Sequence, residues 1–256
     1  MKSLYAFTKK EMTEQLRSGR LLILGILFVL FGIMNPAIAK LTPWLLEMFA
    51  ESLEGSGMTV TEVTVSALDS WMQFYKNVPM ALIAFVVLQS SIFTKEYASG
   101  TLVLSLTRGL ERFHVVVSKS AVLFMLWTAG YWLCFGITYA YNAYFWDHST
   151  VRNPVFSAVC WWLFGVWVIA LMILFSVVTN ANTGVLLGTG SVVLLSYLIG
   201  LLPEIGRYLP TFLTDGNSLI FGMAEAEKYT ASLLIAAVCA LLCFFFSIPI
   251  FNKKQL

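Results

Sequence analysis

The sequence predicts an all-α membrane protein with six transmembrane helices. Of its 256 residues, 59% are hydrophobic and only 12% are charged, whereas soluble domains carry about 25% charged residues. Its mean hydropathy is +0.80, and apolar runs of roughly 18–25 residues recur, each long enough to cross a hydrocarbon core of about 30 Å. The runs do not alternate as barrel strands do. Helices are therefore predicted, since only they satisfy their backbone polar groups within one segment.

The apolar runs define one transmembrane domain that occupies the whole chain. The predicted spans are residues 21–39, 78–93, 118–140, 155–178, 183–202 and 231–250. Six spans in a chain of this length leave little room for a separate soluble domain. The second run is the shortest, so its ends are the least defined.

Residues 1–20 are predicted to form an amphipathic helix at the membrane interface. Its apolar face carries Leu4, Tyr5, Met12 and Leu16. Lys10 and Arg17 lie on the opposite face, and such a division is typical of helices that lie among lipid headgroups. Gly19 is expected to turn the chain into the first span. This helix acts either as a topological anchor or as a mechanical element.

A cleaved signal peptide is the alternative interpretation of the first apolar run. Residues 21–34 followed by Ala37-Ile38-Ala39 resemble an apolar core with a small-residue cleavage site. The polar segment of about 20 residues before this run is longer than signal peptides carry. A retained first span is therefore favoured.

The basic residues predict a multi-pass protein of the cell membrane with both termini in the cytosol. Most of the 16 lysines and arginines fall on the side of the N-terminus in the six-span arrangement, as the positive-inside rule requires. Most acidic residues fall outside. The basic inner face is expected to contact membrane lipids, and nothing in the pattern indicates nucleic acid as a partner.

Two outer segments are predicted to contain short helices. Residues 40–76 are acidic, with a helix expected at 44–53 and a turn at 54–57. Their acidity either attracts a cationic substrate or simply forms a solvated surface. Residues 203–229 are too apolar for a free loop and contain Pro203, Pro210 and Gly216 as breaks. Short helices that dip toward the bilayer under a cover of protein are expected there.

The loop at residues 180–182 is short, so the fourth and fifth spans are predicted to form a tight hairpin. The fifth span opens with Gly184 and Gly188, a spacing that lets helix backbones approach closely. The spacing fits packing within one chain as well as a contact between subunits.

The sequence lacks the groups that an enzyme of this size would need. It has no Gly-rich phosphate-binding loop ending in Gly-Lys-Ser/Thr. His114 and His148 are predicted on opposite sides of the membrane, which argues against a histidine metal site or a nucleophile–histidine pair. The four cysteines fall within spans and are expected to act as small apolar residues. No cofactor or metal is predicted, and any energy source is expected on another polypeptide.

A polar segment between the second and third spans is the most informative feature. It reads F-T-K-E-Y-A-S-G-T-L-V-L-S-L-T-R from Phe93 and continues to Lys119. Glu96 is expected where the second span leaves the membrane, and Gly100 permits a bend. Thr101 can cap a following short helix with a leucine-rich side. A charged segment on the cytosolic side is well placed to receive a push from a soluble partner.

This segment resembles the cytosolic loop of type 2 ABC exporter (ABC-2) permeases. The matching positions are Glu96, Gly100, Thr101, Leu102, Arg108 and Lys119. The six spans, the interfacial helix and the broken outer segment also agree, so the likeness covers the whole chain. Thr107 departs from the pattern, because many members carry Thr-Pro or Ser-Pro there.

The resemblance implies a permease subunit that couples ATP hydrolysis to export. A second permease subunit, identical or not, would pair with it, and separate cytosolic ABC ATPase subunits would bind ATP and Mg. The implied coupling helix lies between the second and third spans, and its ATPase-coupling residues are Glu96, Gly100, Thr101, Leu102, Leu104, Leu106 and Arg108. The residues that could line the implied pathway are Gln89, Ser90, Ser91, Ser191 and Tyr197. Hydrogen bonding between helices is the alternative role for each of them.

The substrate is the least constrained expectation. An acidic outer surface and an aromatic-rich membrane domain suit an amphipathic, cationic or antimicrobial peptide. Export of a lipid, a drug or an ion is the alternative, and a membrane scaffold or sensor that transports nothing is another.

Overall fold

The computed structural model describes residues 2–53, 64–107, 109, 111–147 and 150–254. Throughout these ranges the regular structure is helical, and six helices or helix pairs are long and apolar enough to cross a membrane. The predicted all-α membrane fold is therefore confirmed. The turn expected at residues 54–57 lies outside the described residues.

The first two helices meet at a glycine corner. Helix α1 covers Lys2–Arg17 and α2 covers Arg20–Leu53. Gly19 between them has a φ of 72°, a conformation that glycine adopts without strain, which confirms the predicted turn. Residues 44–53 were predicted as a separate helix, but they continue α2, whose internal Pro43 does not end it.

The second span consists of two helices. Helix α3 covers Ala67–Gln89 and α4 covers Ser91–Ser99, and together they form a 33-residue candidate span, Ala67–Ser99. The prediction that this span is the shortest is wrong, because its polar outer turns lower the local hydropathy without ending the helix. Gly100 ends α4 with a φ of 66°.

The remaining long helices follow with short connections. Helix α5 covers Thr101–Thr107, α6 covers Arg112–Phe145, α7 covers Pro154–Val178 and α8 covers Asn182–Gly200. Asn153, with a φ of 47°, and Pro154 start α7. The tight hairpin between the fourth and fifth spans is present, with α8 beginning at Asn182.

Short helices fill the segment before the last span, as predicted. Helix α9 covers Pro203–Gly206, a 3-10 turn covers Pro210–Thr214, and α10 covers Gly216–Ile220. A second 3-10 turn at Ala226–Tyr229 leads into α11 at Thr230–Lys253. Each predicted break begins one of these elements. The later part of the segment is covered by protein: Leu213, Leu219 and Ile220 are fully buried, and Trp161 donates a hydrogen bond of 2.8 Å to the Thr214 carbonyl. The earlier part is not covered, since Ile205 and Tyr208 are exposed.

Aromatic side chains form the core between α3, α6 and α7. The fully buried rings include Trp71, Phe74, Phe85, Trp127 and Tyr131. Helices α6 and α7 approach closely at Gly165, where a Cβ atom would lie 2.2 Å from the Trp127 ring. Tyr131 also donates a hydrogen bond of 2.8 Å to the Ala158 carbonyl of α7. Helix α7 is thus the centre of the bundle.

Helix α1 and the described end of α11 lie at one end of the bundle, here called the terminal face. Lys254 near the C-terminus contacts the Tyr97 ring, with 4.2 Å between its Nζ and the ring centroid. Tyr97 belongs to α4, and Glu96 of that helix contacts Lys10 of α1. The terminal face therefore also carries α5, which links the second and third spans.

Candidate functional site

Four charged side chains form a closed ionic cluster at the terminal face. Lys10 Nζ lies 3.1 Å from Glu11 Oε1 and 2.6 Å from Glu96 Oε1. Lys119 Nζ lies 2.8 Å from Glu11 Oε2 and 3.0 Å from Glu96 Oε2. Each ammonium group therefore binds both carboxylates, and the net charge of the cluster is zero. The cluster joins α1, α4 and α6.

Most of this ionic cluster is withdrawn from solvent. Glu11, Glu96 and Lys119 are 2%, 6% and 1% exposed. Lys119 also donates to the Ile92 carbonyl at 3.1 Å, and the Phe93 ring centroid lies 5.6 Å from its Nζ. Charges buried in this way are tolerated only when paired and hydrogen-bonded.

Lys10 closes the exposed side of the ionic cluster. Partial burial acts to lower the pKa of Lys10, but hydrogen bonds and attraction from Glu96 and Glu11 outweigh it and raise the pKa above its ordinary value. Lys10 therefore stays charged throughout the physiological range. Glu14 extends the network outward, lying 3.7 Å from Lys10 and 3.8 Å from Lys95.

A buried amide pair lies one helical turn along α1 from the cluster. Gln15 and Gln89 exchange two hydrogen bonds, of 3.0 Å and 3.1 Å, between their side-chain amides. Arg20 donates a further hydrogen bond of 2.8 Å to the Ser91 hydroxyl. Helix α1 and the start of α2 are therefore bound to the second span at the point where α3 gives way to α4.

The connection from α4 to α6 exposes a small surface. Gly100 makes a left-handed turn in which a Cβ atom would meet nothing within 4 Å, and Gly109 has a φ of 88° before α6. Val103 of α5 is 42% exposed, whereas Leu102 is 1% exposed. Helix α5 thus packs through Leu102 and presents Val103 outward.

Residues at the C-terminus hold the neighbouring helix ends together. Arg112 Nη1 donates to the carbonyl groups of Phe251, Asn252 and Lys254. Lys254 Nζ donates to the carbonyls of Val177 and Thr179 at 2.6 Å and 2.9 Å. The last carbonyls of a helix have no partner within that helix, so Lys254 satisfies acceptors at the end of α7. Burial lowers the pKa of Lys254 to about 8.

The structure changes the interpretation of the predicted coupling residues. Glu96 is buried and paired within the chain, so its carboxylate does not face a soluble partner. Leu102 also packs inward, and Leu106 is partly buried against the core. Gly100 and Thr101 are exposed at the start of α5. Arg108 and the side chain of Leu104 lie outside the described residues.

Three predicted pathway residues lie at the junction of α3 and α4. Gln89 and Ser90 are fully buried, and the partly buried Ser91 accepts a hydrogen bond from Arg20. Gln89 and Ser91 thus contact other helices, whereas the Ser90 hydroxyl donates to the Val87 carbonyl of α3. Ser191 and Tyr197 of α8, in contrast, are exposed.

A groove of about 390 Å³ lies between α3, α7 and α8, here called the α3–α8 groove. Its lining is apolar apart from Thr189 and Tyr197, and includes Leu82, Phe164 and Val193. The Thr189 hydroxyl is buried there without a hydrogen-bond partner. The groove carries no charged residue, so it suits an apolar or uncharged surface.

The two predicted packing glycines of α8 contact residues at the end of the preceding helix. A Cβ atom at Gly188 would lie 2.4 Å from the Phe175 ring, and one at Gly184 would lie 3.0 Å from Thr179. Both glycines therefore serve packing within the chain. Gly190, on another face of α8, is exposed and has nothing within 4 Å of its Cβ position.

The carboxylates of the ionic cluster also resemble a set of metal ligands. Oxygens of Glu11, Glu14 and Glu96 lie within 4.8 Å of one another. Lys10 and Lys119 already bind the same oxygens, however, and neutralise their charge. Ion pairing accounts for this arrangement, and we assign no metal to it.

The comparisons with known proteins support the membrane class. The chain is similar to the uncharacterized transmembrane protein YxlG of Bacillus subtilis (strain 168). The two sequences are 25% identical over an alignment of 271 positions, which covers 100% of this chain and 99% of the relative. No protein-family model matches the chain. A multi-pass membrane protein is thus supported by sequence similarity as well as by the six apolar helices.

Proposed function

We propose that this chain is the permease subunit of an ATP-driven exporter of the ABC-2 type. A separate ATPase subunit would bind ATP and Mg at the terminal face, which the distribution of basic residues favours as cytosolic. The chain itself would supply the membrane pathway and perform no chemistry. The proposal rests on the resemblance of residues 93–119 and on the features of the site described above.

The observation that carries the proposal is the exposed helix α5 between the second and third spans. It begins at a glycine turn, ends before Gly109 and presents Val103 to the outside. A soluble protein that pushed on this short helix would act on both adjoining spans. Such an element is suited to coupling an external motion to the membrane domain.

The ionic cluster supports the same proposal. Glu96 lies four residues before Gly100 and is bound to Lys10 of α1 and Lys119 of α6. A displacement of α5 would therefore move α4 together with α1 and the third span. In this proposal Glu96 is a positioning residue that transmits the motion, rather than a contact for the ATPase.

Exposed helix faces support a pathway shared with a second permease subunit. Only 11% of the most apolar part of α8 is buried, compared with 67% in α7. The exposed side of α8 includes Gly190 and Ser191, small residues that permit close approach. A second subunit covering this side would place the pathway next to the α3–α8 groove and Tyr197.

The α3–α8 groove also bears on the substrate. Its lining offers apolar surface and two hydroxyl groups, from Thr189 and Tyr197, but no charge. This lining favours a substrate with an apolar part, such as an amphipathic peptide, over a bare ion. An amphipathic peptide therefore remains the proposed substrate, with lipids and drugs as alternative outcomes of a transport assay.

Photo-crosslinking in cells tests the partner directly. A benzoylphenylalanine residue at Val103 is expected to capture a protein that carries a nucleotide-binding loop, identified by mass spectrometry. The same residue at Leu242, which is 48% exposed on α11, is the matched control and should capture none. Crosslinks from Val103 only to proteins without such a loop would refute the coupling role.

Transport by the purified complex tests the activity. The complex in vesicles should move a cationic amphipathic peptide only when ATP is hydrolysed. A complex that assembles with the ATPase but moves no peptide, lipid or drug would indicate a scaffold or sensor instead.

A further inference from the structure

A second apolar groove lies on the side of α7 that faces away from the α3–α8 groove. It has a volume of about 570 Å³ and lies between α6, α7 and α11; we call it the α6–α11 groove. On α7 it is lined by Trp162, Leu163 and Val166. The α3–α8 groove uses Trp161, Phe164 and Val168, which lie about 180° away at 100° per residue. The two grooves are therefore separate sites.

The α6–α11 groove is built for an apolar occupant. Its lining contains no charged residue, and the small side chains Ala121, Ala237 and Ala240 form part of it. Its polar groups are Ser120, Thr128 and the Trp162 indole, and Trp162 donates a hydrogen bond of 3.1 Å to Thr128. A volume of this size falls within the range of small-molecule sites, about 300–1,000 Å³.

The position of the groove along the helices indicates which part of the bilayer it faces. On α6 it runs from Val117 to Thr128, which is about 7 to 24 Å from the start of that helix at the terminal face. On α11 it runs from Ala237 to Phe244, about 14 to 24 Å from the end at Lys253. The groove thus spans the acyl-chain layer of the leaflet at the terminal face.

The ends of the same two helices carry excess positive charge. Arg112 begins α6 and reaches across to the carbonyls at the end of α11. Lys253 is exposed in the last turn of α11, Lys254 follows it, and Glu111 is the acidic residue next to Arg112. Long basic side chains at helix ends extend toward the headgroup layer. A lipid in the groove would therefore place its headgroup near a cationic rim.

We infer that the α6–α11 groove binds one anionic phospholipid, with an acyl chain in the groove and the phosphate at the rim formed by Arg112 and Lys253. The assignment commits to a membrane lipid of the leaflet at the terminal face. It is independent of the proposed export activity, because the groove lies on the opposite side of α7 from the proposed pathway. Its role is to fill the seam between the third, fourth and sixth spans.

Native mass spectrometry of the detergent-solubilised chain tests this inference. The protein is titrated with phosphatidylglycerol and phosphatidylcholine that carry identical acyl chains. One phosphatidylglycerol per chain is expected to be retained in preference, by at least about fivefold, since each nearby basic residue contributes about that factor toward anionic lipid. The inference would be overturned if both lipids were retained equally, or if neither were retained.

Paired variants assign the site. Ala121→Phe places a ring in the groove from its exposed side and should abolish the retained lipid. Met125→Phe adds a ring at an exposed position of the same helix, outside the groove, and should leave retention unchanged. Equal effects of the two substitutions would place the lipid elsewhere and overturn the assignment.

Two further variants test the contacts of the lipid headgroup and of the acyl chain separately. Lys253→Gln removes an exposed charge and should lower the preference for phosphatidylglycerol about fivefold, with folding unaffected. An unchanged preference would refute the cationic rim. Ser120→Ala removes one of the three polar groups that line the groove and should leave retention intact, because an acyl chain makes no hydrogen bond. A loss of binding would indicate a polar ligand and overturn the acyl-chain assignment.

Discussion

Lys119 and Glu96 form an ion pair of 3.0 Å inside the protein, although 23 positions separate them in the sequence. The lysine is 1% exposed and the glutamate 6% exposed. The pair closes the loop that carries α5, because one partner precedes this helix and the other follows it. The segment that most resembles a coupling helix is thus fixed at both ends by one buried contact.

Removing Lys119 is expected to destabilise the protein strongly. In Lys119→Met, Glu11 and Glu96 would both remain buried with only Lys10 to compensate two negative charges. Breaking a buried ion pair from one side costs about 3–5 kcal/mol of the free energy of unfolding. Thermal unfolding of the detergent-solubilised protein measures the effect.

A control and a compensating change make this prediction specific. Glu14→Gln affects only long, half-exposed pairs and should change the free energy of unfolding by less than about 1 kcal/mol. The double variant Lys119→Met with Glu11→Gln restores neutrality in the cluster and should recover part of the loss. A double variant as unstable as the sum of its single changes would show that the four charges do not act together.

The sequence was sufficient to predict the membrane class and the ends of several helices. Apolar runs located six spans, and Gly19, Gly100, Pro203 and Pro210 marked real ends of elements. Hydropathy set the span boundaries too short, however. Arg112 and His114 belong to the third helix although they lower its local hydropathy, because a helix continues past the bilayer wherever its backbone remains hydrogen-bonded.

The candidate site was predicted only in part. Glu96 and Lys119 were recognised in the motif, but their mutual contact depends on how α4 and α6 pack. Glu11 and Gln15 were missed because charge and polarity in α1 suggested a solvated surface. Their spacing from Phe7, at four and eight residues, places all three on one helix face, and that spacing was the available signal. Glu11 and Gln15 are buried because their partners, Lys119 and Gln89, come from helices that are distant in the sequence.

The amide pair Gln15–Gln89 should show strong coupling in a double-mutant cycle. Gln89→Leu alone would leave the Gln15 amide buried without partners, at a cost of about 1–3 kcal/mol. Replacing both residues by leucine removes both polar groups together and should cost much less than the sum. Urea or thermal unfolding of the four proteins gives the interaction free energy, and additive losses would argue against a direct amide contact.

Lys254 should react with amine reagents at lower pH than a lysine of an unfolded peptide. Burial lowers its pKa to about 8, so about half of its side chains are neutral at that pH. A lysine in an unfolded peptide has a pKa of about 10.4 and would be neutral in under about 1% of molecules at the same pH. Because the pKa of Lys254 is lowered, its side chain loses its charge earlier as the pH rises.

Acetylation followed by peptide mass spectrometry over pH 6–11, with an unfolded lysine-containing peptide added as reference, measures both midpoints in one sample. The fraction modified at Lys254 is expected to rise around pH 8, well before that of the reference peptide. Coincident profiles for Lys254 and the peptide would contradict the lowered pKa. Normalising each lysine to its own plateau removes the effect of different accessibility.

Substitution at two glycines of α8 should give opposite outcomes. Gly188→Ala places a Cβ atom 2.4 Å from the Phe175 ring, which forces the ring or the helix to move. Overpacking of this kind costs about 1–3 kcal/mol. Gly190→Ala meets nothing within 4 Å and lies in the same helix, so it should be neutral or slightly stabilising, since alanine favours helix by about 1 kcal/mol.

Thermal unfolding of the two variants, with Phe175→Ala as a compensating change, checks the packing of the fourth and fifth spans. Gly188→Ala combined with Phe175→Ala should be less unstable than the two single changes together, because the smaller side chain leaves room for the new methyl group. If Gly188→Ala were as stable as Gly190→Ala, the close approach between α7 and α8 would be wrong. If only Gly188→Ala lowers the stability, the contact between α7 and α8 requires a residue without a side chain at position 188.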